Sequence, residues 1–193
     1  MINVYRYGSV VYGTTNKNSD KDYIIVTDEN SLSDFPIKTN KIFSVNEFNN
    51  KLKNHDIDAI ECIFLPNNHI LQKEIDFNFE IDKQQLRRAI SERSSHSWVK
   101  GKKKILVEEG LENTYKGIKS IFHSIRILDY GIQLGEKNKI YCYNNVNDVF
   151  FDLFDKHDKM SKQELWNYIY TVTNKFLKSK HNEFKKRCIF TKV

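Results

Sequence analysis

Proline and glycine are scarce in this chain, with two prolines and seven glycines in 193 residues. Such a composition suits long helices joined by few tight turns. Cysteine is equally sparse. Cys62, Cys142 and Cys188 are odd in number, far apart and contain no C-x-x-C pair, so neither a zinc site nor a disulfide framework is indicated. No apolar run approaches the roughly 18 to 20 residues that span a bilayer. The opening MINVYRYGSV lacks the charged and apolar regions of a secretory signal. The expectation is a soluble, cytoplasmic protein with no membrane partner. What is present is a hydrophobic content of 39% and an aromatic content of 13%, enough to bury an interior and to argue against wholesale disorder.

Charge is distributed unevenly. The chain carries a formal +6, but residues 1–80 hold eight Lys/Arg against twelve Asp/Glu, a net of −4. The remaining 113 residues hold 23 basic and 13 acidic groups, a net of +10. An acidic half that binds cations and a basic half that attracts polyanions suit chemistry on a phosphate-rich substrate, although ordinary surface drift gives the same totals.

The pattern along the chain changes near residue 82. Before it, Val4–Tyr7, Asp22–Val26 and Lys41–Val45 read as short strands, with a brief helical turn over Ser9–Tyr12. Asn46 is expected to cap a helix through Asn54 that has Phe48 and Leu52 on one face. Ile57–Leu65, stopped by Pro66, reads as a third long strand. After residue 82 the periodicity is helical. Asp82 caps one helix, punctuated at Gly110, and Leu111–Leu134 forms another that Gly135 closes. Ser161-Lys162-Gln163-Glu164 is a capping box for a last helix with Leu165, Ile169, Val172 and Phe176 on its apolar face. These elements predict an α+β protein, with a small mixed-sheet core over residues 1–80 and a helical domain over 81–193 that closes a cleft.

The segment with most chemical content runs from Tyr7 to Val26. Asp20 and Asp22, two apart at a strand, point to one face and can jointly hold hard divalent cations such as Mg²⁺ (two ions, with Mn²⁺ an alternative). Two ions can stabilise both the attacking and the leaving oxygen in phosphoryl transfer. Gly8-Ser9, just upstream, offers backbone N–H groups and a hydroxyl to a triphosphate without steric obstruction. An isolated Asp-x-Asp is usually a solvated turn. A Gly-Ser turn before it and an apolar strand after it favour a nucleotide site.

The order Gly8-Ser9-x-x-Tyr12-Gly13-Thr14, then Ser19-Asp20-x-Asp22-Tyr23, resembles the signature of the DNA polymerase β-like nucleotidyltransferase superfamily. It is closest to predicted nucleotidyltransferases of bacteria and phages associated with RNA-ligase systems. Ala59–Pro66 resembles their Leu-Glu-containing strand, and Tyr115–Leu128 their Lys…His…Arg helix. The resemblance implies a polymerase β palm-like core, a divalent metal and an NTP substrate such as ATP. It also implies a third carboxylate on a neighbouring strand. Glu61, an acid inside an apolar strand, is preferred as that ligand, with Asp58 on the opposite face as the alternative. Lys119, His123 and Arg126 fall on one helix face and match that family helix in position; facing the site, they can neutralise triphosphate or leaving pyrophosphate, and the alternative is a solvated face. The chain departs from the family at Val10, where arginine commonly follows Gly-Ser.

Two basic clusters complete the reading. Lys100, Lys102, Lys103 and Lys104 lie beside Trp98, and Lys185, Lys186 and Arg187 lie near the end. Either can track a phosphate backbone, with Trp98 available for stacking, or form plain solvated surface. The expected activity is transfer of an NMP from an NTP to an acceptor hydroxyl with release of pyrophosphate. RNA or a tRNA end is the favoured acceptor. A protein side chain (AMPylation, as in toxin–antitoxin systems), a small molecule such as an aminoglycoside, and a non-catalytic RNA-binding pseudoenzyme remain alternatives.

Overall fold

The computed structural model describes residues 1–17, 19–28 and 41–188. Asn18 of the motif, and Glu29 and Asn30 beyond the second strand, lie outside them. The protein is α+β, and it divides into two compact units. One comprises Met1–Ile81 with Lys139–Asn144, and the other Asp82–Asn138 with Asn145–Val193.

In the first unit, β1 (Ile2–Tyr7) pairs antiparallel with β2 (Asp22–Thr27), placing Ile2 opposite Thr27 and Tyr7 opposite Asp22. β3 (Lys41–Phe43) runs parallel to β2, and β4 (Ile70–Lys73) antiparallel to β1, giving a mixed sheet of order β3-β2-β1-β4. Period-two alternation sorts the side chains. Ile2, Val4 and Ile25 cluster on one face with Tyr23. Tyr5, Tyr7, Asp22, Ile24, Lys41 and Phe43 share the other by register. Helices cover this second face: Phe48 of α2 (Val45–Lys53) stacks on Tyr5 at 6.2 Å and meets Phe43 at 6.4 Å. Ser44 caps α2 in a reciprocal box with Glu47, so the cap is two residues earlier than the expected Asn46.

Ile57–Leu65 is not a strand. Ile57–Ile63 forms helix α3, opened by Asp56, whose carboxylate accepts the Asp58 backbone N–H. Residues 57 to 62 are all buried. A continuously buried run shows no periodicity from which strand and helix can be told apart. The outer strand expected there is supplied instead by Ile70–Lys73, beyond Pro66. Asp58 and Glu61, three apart, therefore share one side of a helix rather than opposite faces of a strand.

The second unit is built on two long antiparallel helices, α4 (Lys83–Leu106, capped by Asp82) and α5 (Leu111–Lys137). α5 passes through Gly135 and ends at Asn138, whose left-handed backbone stops it. A Cβ on Gly135 would lie 3.1 Å from that of Arg187, so its small size serves packing within a continuing helix. α6 (Asn147–Lys156) adds Phe150 and Leu153 to a core of Ile105, Ile118, Ile121, Ile125, Leu165 and Ile169. Ser161 caps α7 (Lys162–Tyr168), which passes through a π turn at Ile169–Thr173 into α8 (Asn174–Arg187). That wider turn inserts a residue and rotates the buried stripe. Thr173 is buried and Leu177 packs on the core, while the expected Val172 and Phe176 are exposed. No helix among the described residues is long and apolar enough to cross a membrane.

Candidate functional site

Tyr7 ends β1, and the chain turns at Gly8 with φ +77° and ψ −149°, a conformation that L side chains rarely adopt. The turn leads into α1 (Ser9–Tyr12), which Gly13 ends in a left-handed conformation. Because Tyr7 pairs with Asp22, Gly8 sits against the start of β2. A Cβ on Gly8 would lie 2.6 Å from the Asp22 Oδ2. The Gly-Ser turn and the second aspartate of the motif therefore form one closely fitted unit. Asp22 is half-buried at the strand start, and Asp20 is exposed just before it. Ser9 is buried at the start of α1.

Two tyrosines of the motif bind the acids of α3. The Tyr12 hydroxyl donates to Glu61 Oε2 at 2.6 Å, and the Tyr7 hydroxyl donates to Asp58 Oδ1 at 2.6 Å. Their rings meet edge-on at 6.1 Å. Glu61 is 1% exposed, and its backbone carbonyl accepts the Tyr143 hydroxyl at 2.9 Å. Burial, with Glu61 and Cys62 nearby, pushes the Tyr143 phenol up and keeps it a donor. Lys41 closes the arrangement. Its Nζ lies 2.5 Å from Asp58 Oδ2 and 4.6 Å from the centre of the Tyr7 ring. Among the described residues, no three His, Cys, Asp or Glu side chains gather closely enough to hold a metal ion. Asp20 and Asp22 are two hard oxygen donors at the start of β2, and Glu61, expected on a strand, is a buried acid of helix α3 bonded to Tyr12.

The remaining expected site residues lie in the helical unit. Arg126 is buried on α5, its Nη2 donating to His123 Nδ1 at 2.6 Å, with Phe122 and Tyr130 rings flanking the guanidinium. Lys119 is exposed and sits over Tyr115. The structure brings His123 and Arg126 together. Lys100, Lys102 and Lys103 are exposed, while Lys104 is paired with Glu108 at 3.0 Å. Trp98 is half-buried, packed 5.8 Å from Trp166, and lines an open cleft with Asn174, Lys178 and His181. Lys185 and Lys186 are exposed in the last turn of α8, and Arg187 lies 3.8 Å from Glu136.

The sequence model of the nucleotidyltransferase domain matches residues 2–156, from β1 through α6. The chain belongs to the nucleotidyltransferase domain family. A comparison with curated proteins gives no match. Family membership assigns nucleotidyl transfer as the activity class and an NTP as substrate. Tyr7 and Tyr12 of this nucleotidyltransferase unit stand in the motif without a role assigned from sequence, and Lys41 was not singled out there. The two tyrosines flank the Gly-Ser pair, which was the available signal. Nothing in the sequence around Lys41 indicated that its strand would lie beside β2.

Proposed function

We propose that the chain transfers an NMP from an NTP to an acceptor hydroxyl, with RNA as the acceptor and Gly8, Ser9, Asp20 and Asp22 as the centre of the site. The observation that carries this reading is the fit of Gly8 against Asp22 Oδ2 within a Gly-Ser turn. A side chain at position 8 would fill the space where a phosphate approaches the backbone. The acceptor hydroxyl gives up its proton to solvent as its oxygen bonds to the α-phosphorus, the α–β bridging P–O bond breaks, and pyrophosphate leaves with that electron pair.

Asp20 and Asp22 have the donor chemistry for a hard divalent cation, Mg²⁺ or Mn²⁺. Such an ion, when bound, would neutralise triphosphate charge as it develops. Gly8 and Ser9 grip the phosphates through backbone N–H groups and the hydroxyl. Glu61 and Asp58, engaged by Tyr12 and Tyr7, position those tyrosines and so hold the Gly-Ser turn from both sides. The helical unit by itself carries exposed positive charge at Lys119, while Arg126 is buried against His123. Lys100, Lys102, Lys103, Lys185 and Lys186 supply exposed positive charge for the RNA backbone. Catalysis of this kind is mostly positioning and charge stabilisation.

The test is incubation with each labelled NTP, Mg²⁺ and total cellular RNA. Label should enter RNA, and the double substitution Asp20→Ala with Asp22→Ala should abolish it. Undiminished transfer by the double variant sinks the site. Label entering protein instead of RNA sinks the acceptor assignment alone.

A further inference from the structure

Val10, the residue after Gly8-Ser9, carries no charge, so a cation of this unit that meets the triphosphate stands elsewhere in the sequence. The sheet register narrows the choice. Asp22, Tyr7 and Lys41 lie on one face, because Tyr7 is opposite Asp22 and Lys41 is opposite Ile24, two residues along β2. Arg6 is opposite Tyr23 and takes the other face. Lys51 reaches the same covered face but sits over Phe43 and pairs with Asp56 at 3.0 Å.

Lys41 is held over the residue that precedes the Gly-Ser turn. Its ammonium stands over the ring of Tyr7, the residue joined directly to Gly8, and the Asp58 carboxylate fixes it from below. Tyr7 donates to the other oxygen of the same carboxylate. Asp58 therefore sets both the ring and the cation above it. The ammonium has three protons, and the bond to Asp58 engages one of them. Its side chain is 32% exposed, against 9% for Asp58, so the cation is reachable from solvent while its anchor is not.

We propose that Lys41 binds the polyphosphate of the incoming nucleotide and that Asp58 is its positioning residue. The proposal rests on the nucleotidyl-transfer reading. It predicts that nucleotide affinity depends on the charge at residue 41 and not on the base. Removing a charge-assisted contact of this type weakens binding by about tenfold to a hundredfold.

The experiment is equilibrium binding of ATP and of inorganic triphosphate to the full chain in Mg²⁺, for the wild type, Lys41→Gln, Lys41→Arg and Lys51→Gln. Thermal melting of each variant confirms folding. The expected result is a loss of that size for both ligands in Lys41→Gln, with most affinity restored in Lys41→Arg. Lys51→Gln removes a lysine of equal exposure and should bind as the wild type does. Equal affinity in folded Lys41→Gln overturns the proposal, and so does an equal loss in Lys51→Gln, which would reveal a general field effect. Lys41→Arg as weak as Lys41→Gln also overturns it. Absence of nucleotide binding in the wild type overturns this proposal and the transfer reading together, whereas binding that ignores residue 41 leaves the transfer reading intact.

Discussion

Gly8 has two separate reasons to be glycine, and each acts on the site. Its backbone conformation is strained for any L residue, at a cost of about 1–3 kcal/mol. Its missing side chain leaves room for the Asp22 carboxylate, which a Cβ would meet at 2.6 Å. Asp22 cannot retreat by rotating its strand, because Tyr7 and Asp22 are paired in the sheet. Gly8→Ala should therefore lower stability by about 1–3 kcal/mol in urea unfolding and reduce nucleotidyl transfer far more than that loss accounts for. A variant with wild-type turnover would show that the fit of Gly8 to Asp22 is incidental. At this scale the sequence was informative where chemistry demands local spacing: Gly8, Ser9, Asp20 and Asp22 lie within fifteen residues and were legible as a unit. Lys41 was not, because its contact with Tyr7 and Asp58 depends on strand order and on the helical form of residues 57 to 63, neither of which local spacing encodes.

Elements with a clean capping signal and a one-sided apolar stripe were readable, and those without were not. Asp82 and Ser161 mark their helix starts by bonding to backbone N–H groups of the first turn. Ile57–Ile63 is buried almost throughout, so its alternation vanished and its branched residues suggested a strand. The π turn at Ile169–Thr173 leaves no mark in composition, yet it moves burial from Val172 and Phe176 to Thr173 and Leu177. Packing between α4 and α5 depends on another feature that periodicity does not register. A Cβ on Gly117 would lie 2.6 Å from Ile105 Cγ1 and 3.1 Å from the Gly101 carbonyl oxygen, while one on Gly101 would lie 2.9 Å from the Gly117 carbonyl oxygen. The two backbones touch through paired glycines. Replacing Gly117 by alanine gains up to about 1 kcal/mol of helix propensity, but overpacking against backbone costs about 1–3 kcal/mol. The second effect should win. Gly117→Ala is expected to lower the melting temperature by roughly 2–8 °C in a chain of this size; an unchanged or raised value would mean that α4 and α5 separate without cost.

Across the whole chain, charge is divided unevenly. The first 80 residues carry a net −4 and the rest a net +10, so a cation-binding site and a polyanion-binding surface need not compete for the same groups. Not every basic residue is available for RNA. Lys104 is committed to Glu108, and Lys180 is committed to the buried Asp129, which Gln133 and Asn145 also bond. Lys185 and Lys186 lie in the last turn of α8, where a cation also stabilises the helix end. On α4, Lys103 also lies in the last turn and Lys102 stands over the Trp166 ring, but no ion pair holds the exposed Lys100, Lys102 or Lys103 among the salt bridges of the described residues, so the three are probed together. Each phosphate contact on a single strand contributes about −0.7 to the slope of log affinity against log salt. Replacing all three by glutamine should therefore weaken RNA binding and flatten that slope by about 2 if each lysine touches a phosphate. Transfer to a short hydroxyl acceptor that does not extend to α4 should be retained, since Asp20 and Asp22 are untouched. A slope equal to that of the wild type, measured from 50 to 200 mM salt, would reduce this cluster to solvated helix surface and shift the search for the acceptor to the α8 terminus.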